Sequence, residues 1–210
     1  MPKPRITKKP EVRRQEILDA AQALFAKHGF EGTAVSQIVA LVGVQQGTFY
    51  HYFESKEALV EALILRSTEA MAERIAERIA DRRLSLRARV AASLEEAFNP
   101  QDPFLLMFEH IHRARNSALN QKTHLLMSQR LTPILMELAR EGNAAGVFSV
   151  RHLGITADFI IGGMSFLMDK EIYLGNAIDW QVLRPQMESL IEKLLGVREG
   201  WLDPIGGSNA

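Results

Sequence analysis

Between Thr33 and Lys56 the chain reads T-A-V-S-Q-I-V-A-L-V-G-V-Q-Q-G-T-F-Y-H-Y-F-E-S-K, a stretch whose polar residues are suited to hydrogen bonding rather than to covalent chemistry. Val35, Ile38, Val39 and Val42 recur at helical spacing, and Gly43 supplies the permissive backbone of a sharp turn. After the turn, Phe49, Tyr52 and Phe53 share one face of a second helix and leave Gln46, Tyr50 and His51 largely on the other. A helix with one buried face and one hydrogen-bonding face, held by a short partner helix, is an arrangement suited to reading DNA.

Other reactive groupings are weaker. Glu109, His110, His112 and His124 lie in one region, but residues two apart on a helix point to opposite sides, so His110 and His112 do not converge on one ion. The chain has no cysteine, which excludes disulfides and thiolate zinc sites and suits a reducing compartment. No histidine pair at i, i+4 and no nucleophile motif is present. The expectation is a protein that is not an enzyme and uses neither metal nor cofactor.

With 47% hydrophobic and 24% charged residues in 210, the composition reads as globular and large enough for a core. The longest strongly apolar run, Phe159 to Met168, is bracketed by Asp158 and Asp169 and falls far short of the roughly 20 residues a membrane span needs. The N-terminus lacks a signal-peptide core, so a cytoplasmic location is expected. The net charge of zero conceals an asymmetry: residues 1–14 carry Lys3, Arg5, Lys8, Lys9, Arg13 and Arg14 against Glu11 alone, a net of +5. A basic arm punctuated by Pro2, Pro4 and Pro10 suits phosphate neutralisation, although a solvated tail would look the same.

The elements that must position these residues are helical almost throughout. Ile17, Leu18, Ala21, Leu24 and Phe25 predict a first helix from about Glu11 to His28, ended by Gly29, and Thr33 is a plausible N-cap for the next. Ser55 caps a fourth helix that runs to about Ala80. Further helices are predicted near Leu84–Phe98, Pro103–Arg115, Ala118–Glu141, Gly154–Leu174 and Trp180–Leu195, and no period-two pattern predicts a sheet. The fold class is therefore all-α. A flexible arm at 1–10, a helix-turn-helix domain at 11–55, a helical domain at 56–196 and a loose tail at 197–210 are expected, with Trp201 and Ile205 able to dock.

Three motifs together resemble the TetR family of bacterial transcriptional regulators. They are A-x-x-L-F-x-x-x-G-F-x-G-T (Ala21 to Thr33), V-x-x-I-V-x-x-x-G-V (Val35 to Val44) and G-T-F-Y-H-Y-F-x-S-K-E-x-L (Gly47 to Leu59). The resemblance is strongest over Glu11 to Leu63; beyond it the chain is similar only in its helices and length. It implies a three-helix DNA-binding domain, with the helix Gln45 to Phe53 in the major groove. Gln45, Gln46 and Thr48 would then meet base edges, since Gln bonds adenine through N6 and N7 and a Thr methyl meets a thymine methyl. Gly47 would allow close backbone approach. Tyr50, His51, Tyr52, Thr33, Ser36 and Lys56 would donate to phosphates. Family members often carry Ser then Lys where this chain has Gln45 and Gln46, so the basic arm is expected to supply charge the reading helix lacks.

The resemblance further implies a ligand-binding and homodimerising C-terminal half. Met107, Phe108, Ile111, Met127, Met164 and Met168, with His112 as a polar anchor, form a candidate pocket for a small apolar or amphipathic effector. Ile155, Phe159, Ile160, Gly162, Gly163 and Phe166, followed by Met187, Leu190, Ile191, Leu194 and Leu195, offer two apolar faces for a dimer; ordinary intramolecular core must claim some of them. A ligand-responsive repressor on palindromic double-stranded DNA is the leading expectation. The alternatives are a constitutive DNA-binding or partner-binding regulator, and an activator.

Overall fold

A computed structural model describes residues 9–99, 117–174 and 179–203. Among them are eight helices and no strand, as the periodicity predicts: α1 Pro10–His28, α2 Val35–Val42, α3 Gln46–Tyr52, α4 Lys56–Ala80, α5 Leu86–Ala97, α6 Ser117–Ala144, α7 Leu153–Tyr173 and α8 Trp180–Leu195. The helix expected at Pro103–Arg115 lies outside the described residues. No helix among them is long and apolar enough to cross a membrane.

The first three helices close around one another and lean on α4. Ile17, Leu18, Ala21 and Phe25 of α1, Ile38 and Val39 of α2, and Phe49 of α3 are buried together with Leu59 and Leu63 of α4. Burying each large side chain contributes about 1.5 to 3 kcal/mol, so this small core is held by its apolar stripes. Gly43 ends α2 at φ 75°, a left-handed conformation that costs an L side chain, and its N–H donates to the carbonyls of Val39 and Ala40. Ser55 caps α4 by accepting from Ala58 N at 3.0 Å.

Thr33 does not cap α2. The N-cap position belongs to Ala34, and the Thr33 hydroxyl turns back to donate to Gly29 O at 2.8 Å. Gln37 does the work at this end, its Oε1 accepting from Ala34 N at 2.7 Å.

The larger half is built on α4, which packs against α5 and α6, with α6 laid along α7. Charged side chains fix these crossings. Arg89 is buried; it donates to the Ile79 carbonyl at the end of α4 and grips both oxygens of Glu141 on α6 at 2.6 and 2.7 Å. Arg74 and Arg78 of α4 share Glu96 of α5. These guanidinium hydrogen bonds hold both the Glu141 and Glu96 carboxyls below their ordinary pKa.

The segment after α8 is docked where a loose tail was expected. Glu192 is buried in the last turn of α8 and accepts from Leu202 N at 2.6 Å and Gly200 N at 3.0 Å, while Trp201 packs edge-on against Phe148 at 5.6 Å. A buried carboxylate satisfied by two backbone donors avoids the penalty of an unpaired charge. Ile205 lies outside the described residues.

Candidate nucleic-acid interface and effector cavity

Helix α3 divides its residues as its period requires. Phe49 is fully buried and Phe53 nearly so, their rings 5.7 Å apart, while Gln46, Gly47, Tyr50 and His51 are exposed. Gln45 sits at the N-cap position with no side-chain cap bond, and Thr48 and Tyr52 are half-buried. The Tyr50 ring leans edge-on against Phe49 at 5.3 Å, and His51 edge-on against Tyr52 at 5.0 Å, so both polar tips stand on a packed base. Ser36, in the first turn of α2, is exposed. Gly47 has nothing within 4 Å of where a Cβ would stand, so its small size answers no need inside the protein.

Two expected phosphate donors are turned inward. Thr33 is buried, with its hydroxyl engaged as described. The Lys56 ammonium donates to Phe30 O at 2.9 Å and Thr33 O at 3.1 Å and lies 4.0 Å from the centre of the Phe30 ring. A cation satisfied by two carbonyls and an aromatic face is a clamp between the α1–α2 loop and α4. Neither side chain, as placed, offers a donor to an outside phosphate.

Three side chains hold the helices in place in ways the sequence did not reveal, among them Arg14, counted above with the basic arm. Arg14 lies over the Phe53 ring at 5.1 Å and ties α1 to the end of α3. Arg66 of α4 donates to Gln15, Asp19 and Gln22 of α1 at 3.0, 2.6 and 2.5 Å. Gln37 holds the start of α2. Arg14 and Arg66 depend on partners distant in sequence, whereas Gln37 reaches only three residues back, to an N-cap one residue later than the Thr33 the sequence pointed to.

The body holds a partly open cleft, about 620 Å³ of non-atom space counting the solvent at its mouth, lined by Met71, Ile75, Ser93, Leu94, Ala97, Met127, Leu131, Leu135, Ile160, Ile161 and Met164. Met127 and Met164 thus meet as expected of pocket residues. Met107, Phe108, Ile111 and His112 lie outside the described residues, as does the side chain of Met168. The α4 and α5 contributors were missed because their apolar spacing is that of any buried helix face. Ile160, read as part of a dimer face, lines the cleft instead.

On the outer surface, Phe159 and Phe166 of α7 are 62% and 65% exposed and Ile155 is 71% exposed. Gly162 and Gly163 have open space where a Cβ would stand. On α8 Leu190 and Val182 are exposed and Leu194 is half-buried. Met187 and Ile191 are not part of this surface: they are 3% and 4% exposed and belong to the molecule's own core. Leu195 is buried as well.

Residues 17–63 match the family model for bacterial regulatory proteins of the tetR family. That match spans α1 to α4 and coincides with the packed reading head. Over those residues the chain is similar to the TetR family. The repressor AcnR of Corynebacterium diphtheriae is 44% identical over 62 residues, which cover 30% of this chain and 33% of AcnR. The match therefore spans about a third of the length of the first curated relatives. The regulator UidR of Escherichia coli is 26% identical over 132 residues, covering 61% of this chain and 67% of UidR. The crystal structure of RolR in complex with resorcinol superposes with a TM-score of 0.67 at 18% identity, covering 94% of this chain and 96% of RolR. At that identity the likeness shows a common fold.

Proposed function

We propose that this chain is a ligand-responsive transcriptional repressor that binds a palindromic operator as a homodimer. One observation carries the reading: α3 buries Phe49 and Phe53 while presenting Gln46, Gly47, Tyr50 and His51 outward, so the reading helix is rigid beneath and polar above. Gln45, Gln46 and Thr48 read base edges; Ser36, Tyr50, His51 and Tyr52 donate to phosphates that set the register. The inward-turned Lys56 sharpens the need for charge from the basic arm. The close sequence likeness to a repressor over the reading head supports repression as the mode.

The partner is a second copy, through the exposed apolar stripe of α7 and α8. Two-fold pairing of Ile155, Phe159, Phe166 and Leu190 would cover that stripe, and the open space at Gly162 and Gly163 admits close approach. RolR, which shares the fold, binds resorcinol in its crystal structure, and the Met-lined cleft supports a small apolar effector here. Helix α4 is the coupling element. It begins beside the reading head, holds α1 through Arg66, and contributes Met71 and Ile75 to the cleft. A ligand that favours one setting of α4 shifts the spacing of the two heads, with coupling on the order of 1 to 3 kcal/mol.

Fluorescence anisotropy on duplex DNA tests the reading. Binding is expected to weaken steeply with salt, with a shallower slope once residues 1–8 are deleted. Absence of binding to any duplex at low salt would overturn it.

A further inference from the structure

The Met-lined cleft has a neighbour. A second, partly open cavity, about 500 Å³ of non-atom space counting the solvent at its mouth, lies between α5, α6, α7 and α8 and reaches Ile191 and Leu195. The two are bounded in common by Ser93, Leu94, Leu135 and Ile160, so a single layer of side chains forms the partition between them. On α6 the lining positions Met127, Leu131, Leu135 and Leu138 follow one another by three or four residues along one face. On α7 the same holds for Leu153, Ala157, Ile160 and Met164. Both cavities thus lie on one continuous seam, roughly 16 to 18 Å long at 1.5 Å of rise per residue.

The lining is chemically uniform. Among the described residues no charged side chain borders either cavity, and the polar ones are Ser93 and Thr156. The Ser93 hydroxyl is already spent on the Arg89 carbonyl at 2.7 Å. A carboxylate or ammonium inside the seam would lose its hydration without gaining a charged partner among the described lining residues. A compact ring would fill one cavity and leave the other empty, whereas an extended chain fills both once Leu94, Leu135 and Ile160 change rotamer.

We propose that the ligand of this seam is an uncharged linear aliphatic molecule on the order of a dozen carbons long, laid between α6 and α7 through both cavities; the length follows from about 1.2 Å of reach per extended bond. This rests on the effector-binding reading of the same cleft and names its ligand class.

The test uses the full chain and a series of n-alkanols from 1-hexanol to 1-hexadecanol, with dodecanoate and resorcinol as further arms. Affinity is read by titration calorimetry and by the ligand-induced rise in Tm. The expected result is a gain of about fourfold per methylene up to about twelve carbons, then a fall. Ala157→Phe, which fills the second cavity, and Ala97→Phe, which fills the first at a half-buried position, are each expected to cut 1-dodecanol affinity at least tenfold and move the maximum to shorter alkanols. Equal affinity across the series, tighter binding of dodecanoate than of 1-dodecanol, or a response to resorcinol alone would overturn the inference. Operator affinity on the same preparations separates the two readings. DNA binding without chain-length dependence overturns the ligand class alone; chain-length-dependent binding in a protein that binds no DNA overturns the regulator reading alone.

Discussion

At the scale of the residue, Gly47 separates the demands of folding from those of recognition. It lies inside a helix, with no positive φ and nothing within 4 Å of a Cβ, so the protein itself would be better served by alanine. Gly47→Ala is expected to raise unfolding stability by about 0.5 to 1 kcal/mol while weakening DNA binding, because the methyl stands between helix backbone and DNA. Urea unfolding and anisotropy measure the two effects separately; loss of stability would show an internal role. Thr68 is the converse case. It is fully buried in α4 and its Oγ1 has no hydrogen-bond partner among the described residues, so Thr68→Val should stabilise by about 1 to 2 kcal/mol in the same unfolding assay. The outward residues of α3 were legible in the sequence because their phase is fixed by Phe49 and Phe53. Thr33 and Lys56 were not, because what they bond to is the carbonyl edge of a loop that exists only in the folded head.

At the scale of the element, most helix ends could be read from the chain, since Gly29, Gly43, Ser55 and Gly196 punctuate strong apolar periodicities. What periodicity leaves open is which half of a wide apolar arc a helix turns inward. On α8 the arc contains Met187, Leu190, Ile191 and Leu194, and the fold buries Met187 and Ile191 while leaving Leu190 exposed. The crossings of α4, α5 and α6 rest instead on ion pairs that no pattern reveals, chiefly Arg89 with Glu141. The Glu141 carboxyl is held below its ordinary pKa of 4.5, so its contribution is complete above that value and is lost as pH falls through the folded pKa. Glu141→Gln is expected to cost on the order of 3 kcal/mol at pH 7, because Arg89 remains buried. It should also make the decline of stability on the acid side of pH 4.5 shallower than in the parent. Denaturant titrations across that range check both; an unchanged acid-side slope would mean that Glu141 is not the group being titrated.

At the scale of the molecule, the reading head, the cleft and the outer apolar stripe are joined by α4, α6 and α7, so in the proposed function these helices would couple dimerisation, ligand and DNA. Placing charge on the stripe should break the assembly without disturbing either core. Phe159→Glu with Phe166→Glu is expected to yield a folded monomer in sedimentation velocity, since both side chains face outward. An unchanged dimer would locate the interface elsewhere. Selection of bound sequences from random duplex DNA by the full chain, repeated with Gln46→Ala, separates a sequence-specific reader from a non-specific binder. The expected result is a palindromic consensus whose half-sites lie about one DNA turn apart. The variant is expected to relax one symmetric pair of positions, by about 1 to 3 kcal/mol. Enrichment of no consensus, or a consensus that Gln46→Ala leaves untouched, would overturn α3 as a base-reading helix led by Gln46.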